Sequence, residues 1–271
     1  MTPALPLLAT LLQVFAAGDV AHCRGAPARQ SDAARTAALI PQGATVLMLG
    51  DATYDRPART ALQACYGPTW GVHLPRTLAI PGNHDYVSGK AADFLAYFGP
   101  AAGERGYFAR SLDGWLVIGL DSNQAVAGLD RQYAWLEATL EEHRDVRCTL
   151  VMWHAPLFSS GRHRRGGKHM RRFWALLDAR GADVSLHGHE HFYEAFAPLD
   201  AAGRPSESGL RSFVVGTGGA KLRGFGRPAE ASRARIASHG VLRLTLDDGA
   251  YEWRFIQVDG KVADSGRARC Q

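Results

Sequence analysis

The run Thr77-Leu78-Ala79-Ile80 ends in Pro81-Gly82 and then releases an amide, an imidazole and a carboxylate as Asn83-His84-Asp85, followed by Tyr86. A short apolar run closed by Pro-Gly reads as a buried strand that delivers polar side chains at its C-terminal edge. That edge is where open α/β sheets bind ligands. Taken alone, Asn-His-Asp is equally well explained as a turn or a helix cap.

Four further apolar runs end the same way. Val14-Phe15-Ala16-Ala17 precedes Gly18-Asp19, and Val46-Leu47-Met48-Leu49 precedes Gly50-Asp51. Leu150-Val151-Met152-Trp153 precedes His154, and Val184-Ser185-Leu186 precedes His187-Gly188-His189-Glu190-His191. Five strand ends therefore carry metal-type donors to one sheet edge. Carboxylates and imidazoles without thiolates suit a hydrolytic metal site better than a purely structural zinc site.

The bulk properties agree with an α/β enzyme. A chain of 271 residues, 46% hydrophobic and 21% charged, suits one large domain with an ample core. The net charge of +5 is local: residues 162–172 hold six Lys or Arg and no acid, leaving −1 for the remainder. That segment would attract phosphate or another anion; a solvated basic loop is the plain alternative. Cys23, Cys65, Cys148 and Cys270 have no CxxC spacing. Their number alone fits either two disulfides in an exported protein or four free thiols.

Residues 1–17 are apolar but lack a basic start and are short for a membrane span. Cleavage after Ala17 would destroy the first strand. Residues 1–12 are therefore read as a targeting remnant or extension, and 13–271 as a single domain. Helices are expected over Ser31–Leu39, with Ser31 as N-cap, near Pro57–Cys65, and over Lys90–Phe98, Gln132–Glu142 and Met170–Ala179. In the Lys90–Phe98 helix, Phe94, Leu95 and Phe98 form the expected core stripe; in Gln132–Glu142, Tyr133, Leu136 and Leu140 face inward. Paired strands are expected over Gly106–Ala109 and Trp115–Leu120, and antiparallel strands over Arg211–Val215, Gly240–Leu246 and Tyr251–Val258.

With these motifs in order, the chain resembles the calcineurin-like metallophosphoesterase superfamily. The matching pieces are Gly18-Asp19, Gly50-Asp51, Gly82-Asn83-His84-Asp85, His154 and Gly188-His189-Glu190-His191. The first motif departs from the general Asp-x-His, since its third position is Ala21; His22 stands one residue out of register. The second motif, Gly50-Asp51-Ala52-Thr53-Tyr54, instead is similar to the GDxxY of the purple acid phosphatase branch. Phe158-Ser159-Ser160-Gly161, Val214–Gly219 and Asp264-Ser265-Gly266 are similar to secreted bacterial phosphatases of this type. Ala155 departs from them, standing where a second histidine is frequent, and so does the arginine-rich loop from Arg162.

The resemblance implies a four-layer α/β/β/α sandwich of two mixed sheets flanked by helices. It implies one metal held by Asp19, Asp51, Tyr54 and His191, and a second by Asp51, Asn83, His154 and His189. Fe(III) is expected at the Tyr54 site and divalent Zn, Mn or Fe at the other. A shared water made acidic by both cations would attack a phosphate monoester; His84 and Asp85 are the candidate catalytic side chains, His84 protonating the leaving oxygen or steadying the phosphate and Asp85 orienting a neighbouring group, with plain turn formation the alternative for Asp85. Asn83, His84, Arg162, Arg164, Arg165 and Lys168 are the candidate substrate contacts. A phosphodiesterase or nucleotidase on the same site, and a non-catalytic metal-binding homologue, are the alternatives. The expected partner is a small phosphoester, with no specific nucleic acid and no membrane, and a secreted or periplasmic location is favoured over the cytoplasm. His187, ahead of Gly188, is expected to support structure or neighbouring ligands.

Overall fold

The structure is a computed structural model that describes residues 12–23, 27–56, 58–86, 90–162 and 167–271. Thirteen β-strands and five α-helices lie among the described residues. The first sheet contains β1 (Leu12–Ala17), β2 (Thr45–Met48), β3 (Thr77–Ala79), β11 (Gly240–Asp247), β12 (Ala250–Gln257) and β13 (Val262–Arg269). Its order is β13-β12-β11-β1-β2-β3, with β1, β2 and β3 parallel and the rest antiparallel.

The second sheet contains β4 (Phe108–Leu112), β5 (Trp115–Gly119), β6 (Cys148–Met152), β7 (Val184–His187), β8 (Tyr193–Phe196), β9 (Arg211–Val215) and β10 (Ser232–Ile236). Its order is β10-β8-β9-β7-β6-β5-β4, and β5, β6, β7 and β9 are parallel. Two mixed sheets flanked by helices are the architecture expected.

The parallel strands are buried along their whole length where the sequence is continuously apolar: every residue of β5 and β6 is buried. A parallel strand covered on both faces reads as an unbroken apolar run. The core between the layers holds Phe15, Trp115, Trp153, Trp174, Tyr193 and Phe213, all fully enclosed. Tyr193 stacks on Phe255 of the first sheet at 4.1 Å between ring centroids, so the two sheets share one core.

The helices are α1 (Asp32–Ala37), α2 (Ala58–Ala61), α3 (Ala92–Phe98), α4 (Val126–Glu142) and α5 (Arg171–Ala179). Ser31 caps α1 as expected, its Oγ accepting from the Ala34 amide at 3.3 Å. Other boundaries differ from the sequence reading. The expected helix Pro57–Cys65 is α2 followed by a π-helical turn over Leu62–Tyr66; Pro57 lies outside the described residues. Helix α3 starts at Ala92, because Lys90 and Ala91 sit at φ 51° and 52°. Helix α4 starts at Val126, six residues before Gln132; its first residues are exposed and carry little apolar periodicity, and the Gly128 and Leu129 amides bond to Ala125 O to open it. In α3, Phe94 and Phe98 are core but Leu95 is half-buried. Tyr133 is also half-buried, packing edge-on against Phe173 under the Arg172 guanidinium. The strand expected over Gly106–Ala109 runs instead over Phe108–Leu112, pairing with β5.

Of the N-terminal extension assigned to residues 1–12, residues 1–11 lie outside the described residues, while Leu12 opens β1 and pairs with Leu246. The four cysteines form two disulfides, Cys23–Cys65 and Cys148–Cys270. No helix among the described residues is long and apolar enough to cross a membrane.

Candidate metal centre

The C-terminal ends of β1, β2, β3, β6 and β7 converge on one point. The Gly18 amide donates to Val215 O across the sheets at 2.9 Å, and His154 Nδ1 donates to Leu49 O at 2.8 Å. The turns are tight enough to require glycine at two places. A Cβ on Gly82 would stand 2.1 Å from Asp51 Oδ1, and one on Gly50, at φ 88°, 2.5 Å from His154 Nδ1. Three residues at these turns adopt left-handed backbone without being glycine: Asp19 (φ 59°), Asp51 (φ 54°) and His189 (φ 71°).

Seven polar side chains meet there in two groups. In the first, Tyr54 OH donates to Asp19 Oδ1 at 2.5 Å and to Asp51 Oδ2 at 2.9 Å, and lies 3.0 Å from His191 Nε2. His191 Nε2 is 3.2 Å from Asp19 Oδ1. In the second, Asn83 Oδ1 lies 2.9 Å from His189 Nδ1 and 3.2 Å from His154 Nε2, which is 3.4 Å from Asp51 Oδ2. Asp51 belongs to both groups. Asp19, Asp51 and His154 are fully buried, whereas Asn83, His84 and His189 lie toward solvent.

The donor set fits cations. His154 and His191 each give their Nδ1 hydrogen to a backbone carbonyl, of Leu49 and Lys221, which turns Nε2 toward the carboxylates. Anchoring one ring nitrogen in this way is how proteins orient an imidazole ligand. Burial would raise the Asp19 and Asp51 carboxyls, but the facing His191 and His154 overcome it and hold both below the usual carboxylate range. Burial likewise opposes charge on His154, yet Asp51 wins and pushes it up to about 10. Two buried carboxylates thus demand positive charge beside them, here met by imidazole protons that a metal ion would displace. Burial, Asp19 and Asp51 push the Tyr54 phenol far above its usual value.

His84 stands half-buried at the open face, its ring 4.4 Å from that of Tyr54, and its backbone N–H donates to Asp51 Oδ1 at 2.8 Å. Burial lowers its pKa, against the pull of Asp51 and Asp19. Asp85, the other candidate catalytic residue, sits where its orienting or turn-forming alternative would put it. Its carboxylate is buried beneath the turns and accepts from the Gly82 amide at 2.8 Å and the Ala52 amide at 3.2 Å. Those bonds tie the Asp51 turn to the Asn83 turn, a positioning role. His22 is half-buried, its ring 6.0 Å from Tyr54, outside both groups. His187 is fully buried, bonded through Nδ1 to Trp153 O, and burial drives its pKa down to about 3.

Among the candidate substrate residues, Arg162 and Lys168 are exposed, and Arg164 and Arg165 lie outside the described residues. Lys168 lines a cavity of about 310 Å³ that also touches His189.

A sixth strand end, at Asp121-Ser122, was read from the sequence but given no role at the site. After β5, Asp121 accepts a hydrogen bond from Tyr86 OH, Asn123 Nδ2 donates to Pro81 O at 3.1 Å, and Ser122 Oγ accepts from the Ala155 amide at 3.2 Å. This latch joins the Asn83–His84 turn to the His154 turn. Asp121-Ser122-Asn123 after an apolar strand carried the same signal as the other five. Arg56 was missed; it donates to His84 O at 2.6 Å from an exposed position with no motif around it.

With this geometry in place, comparison with known proteins gives the class. The sequence profile of the calcineurin-like phosphoesterases matches residues 12–193, more than half of the chain. The protein therefore belongs to the calcineurin-like phosphoesterase family, whose members are metal-dependent phosphoesterases. No curated protein sequence matches it. Among solved structures, the purple acid phosphatase PPD1 from yellow lupin seeds superposes with a TM-score of 0.77 at 18% identity, over 96% of this chain and 54% of that one. The chain thus spans about half the length of the lupin enzyme. GAP50, the anchor in the inner membrane complex of Plasmodium, superposes with a TM-score of 0.73 at 14% identity, over 96% and 89% of the two chains. PhoD gives 0.60 at 10% identity, over 96% and 69%. At these identities the likeness is one of fold.

Proposed function

We propose that this protein hydrolyses phosphate monoesters at a dinuclear metal centre. The observation that carries this reading is the pair of donor groups sharing Asp51. Asp19, Asp51, Tyr54 and His191 would hold one ion, and Asp51, Asn83, His154 and His189 the other. Bound together, two cations supply an acidified water and neutralise charge building on the phosphoryl oxygens. A phenolate with two carboxylates is a hard donor set that favours Fe(III) beside Tyr54, and Asn83 with two imidazoles suits a divalent Zn, Mn or Fe at the other site.

The chain's own groups do the rest. The Asn83 carboxamide, exposed at the open face, orients the incoming phosphate. His84 faces the same side and gives its Nε2 or Nδ1 proton to the leaving oxygen. Because burial lowers the His84 pKa, its acid form is populated on the acidic side of neutrality. Asp85 and the Asp121 latch fix both residues. Arg162, Arg164, Arg165 and Lys168 are assigned to the substrate beyond its phosphate. Two disulfides suit an oxidising compartment, which supports a secreted or periplasmic location.

The test is metal analysis and a visible spectrum of the purified protein beside turnover of an aryl phosphate. Two metals per chain, activity lost on chelation and regained on reloading, and a charge-transfer band abolished by Tyr54→Phe are expected. Fewer than one metal per chain and no turnover after loading would refute the proposal. A phosphodiesterase reading is separated by comparing a monoester and a diester with the same aryl group. The fold likeness to the Plasmodium anchor raises a non-catalytic reading, and a metal-loaded protein inert toward both esters would select it.

A further inference from the structure

The cavity of about 310 Å³ beside His189 is lined by Pro156, Leu157, Phe158, Ser159, Gly167, Lys168, Arg171, Glu190 and Ala229. Its size is that of a small-ligand site, and it lies against His189, a proposed metal ligand.

Its wall is preformed. The Ser160 amide donates to Glu194 Oε2 at 2.8 Å, Ser160 Oγ bonds the same buried carboxylate, and the Ala229 amide donates to Ser160 Oγ at 2.8 Å. Phe158 is held edge-on to Trp174, with ring centroids 5.0 Å apart, and Gly203 is closed against its ring, where a Cβ would come within 2.3 Å. Pro156, Leu157, Phe158 and Ala229 therefore present a fixed apolar face. Lys168 and Arg171 are exposed at the mouth, whereas the single acid, Glu190, is buried in the wall against Gly161. A rigid apolar face suits a planar ring; two cations at its rim suit a negative charge on the ring's far end.

We infer that this cavity is a leaving-group subsite for an aromatic group carrying a second negative charge, so that the favoured substrates are aryl phosphates with an additional anion. Arg171, at the start of α5, was not among the residues singled out in the sequence. The inference rests on the phosphoesterase reading.

The test compares 4-carboxyphenyl phosphate with its neutral isostere 4-carbamoylphenyl phosphate on the metal-loaded, full-length protein. Electrostatic selection by two exposed cations predicts a kcat/KM ratio of about tenfold in favour of the carboxylate, falling as ionic strength rises. Lys168→Gln with Arg171→Gln brings that ratio close to one, and Arg171→Lys keeps it. A ratio near one in the unsubstituted protein overturns the inference. So does a tenfold ratio that survives the double substitution, which would put the anion contact elsewhere. If neither ester is turned over, the hydrolase reading falls, and the same ratio and variants are read as dissociation constants by calorimetry, where equal affinities overturn the subsite independently.

Discussion

The sequence leaves Asp85 open between a catalytic and a turn-forming role, and replacing it separates the two. Its carboxylate is the acceptor for two buried amides, Gly82 N–H and Ala52 N–H. Asp85→Ala leaves both unpaired at about 1–3 kcal/mol each, or about 2–6 kcal/mol together. That is a large fraction of the roughly 5–15 kcal/mol that keeps a typical domain folded. The same change frees the Asp51 and Asn83 turns, so metal content and turnover fall with stability. Burial and the nearby Asp51 push the Asp85 carboxyl up to about 8, so an uncharged amide is tolerated there. Asp85→Asn keeps one acceptor and the shape, and is expected to cost about 1–2 kcal/mol in urea unfolding. It should hold two metals and retain kcat within about tenfold of the parent. A proton-transferring Asp85 predicts the opposite: kcat down by about 10²–10⁴ in Asp85→Asn with stability and metal content intact. That result would refute the positioning role.

Three other outcomes follow from the fold. Asp183 accepts from the Thr149 and Gln271 amides, yet burial outweighs those bonds and raises its carboxyl to about 6. A raised carboxyl favours the fold when protonated, so stability is lost as pH rises from about 4 through 6. Between pH 4.5 and 7.5 the parent should lose about 2 kcal/mol relative to Asp183→Asn in chemical denaturation; a parallel pair of profiles would contradict this. The Cys23–Cys65 disulfide closes 42 residues, and its reduction should lower unfolding free energy by about 4 kcal/mol on the chain-entropy relation. An unchanged urea midpoint after confirmed thiol release would count against it. Tyr86→Phe leaves the buried Asp121 without its phenol partner and should cost about 1–3 kcal/mol, with a larger loss in kcat than in KM if the latch sets the His84 turn.

The centre was legible because each candidate ligand sits on or just after a strand exit, where local sequence decides which side chain is delivered. Gly50-Asp51 and Gly82-Asn83 announce their own turns. Asp85 stayed open between a catalytic and a turn-forming role for the same reason: a polar triplet shows that residues emerge there, but not which one folds back on the backbone. Strand β8 and the edge strands β10 and β13 were not anticipated. β13, Val-Ala-Asp-Ser-Gly-Arg-Ala-Arg, has almost no apolar alternation and is a strand only because β12 pairs with it from Arg269 to Val262. The cysteine pairing, the partners of the Asp121 latch and the Arg171 cavity join residues far apart in the chain, and no spacing rule encodes those contacts.

The left-handed backbone of Asp19, Asp51 and His189 gives the centre a thermodynamic character of its own. Each such residue disfavours its conformation by roughly 1–2 kcal/mol, so the three together cost about 3–6 kcal/mol. The bare chain holds these torsions, and two adjacent buried carboxylates, against their preference. Ions that bind only the folded form return that energy by mass action. Metal supply would then govern how much folded protein survives a denaturing or proteolytic challenge, before any substrate arrives.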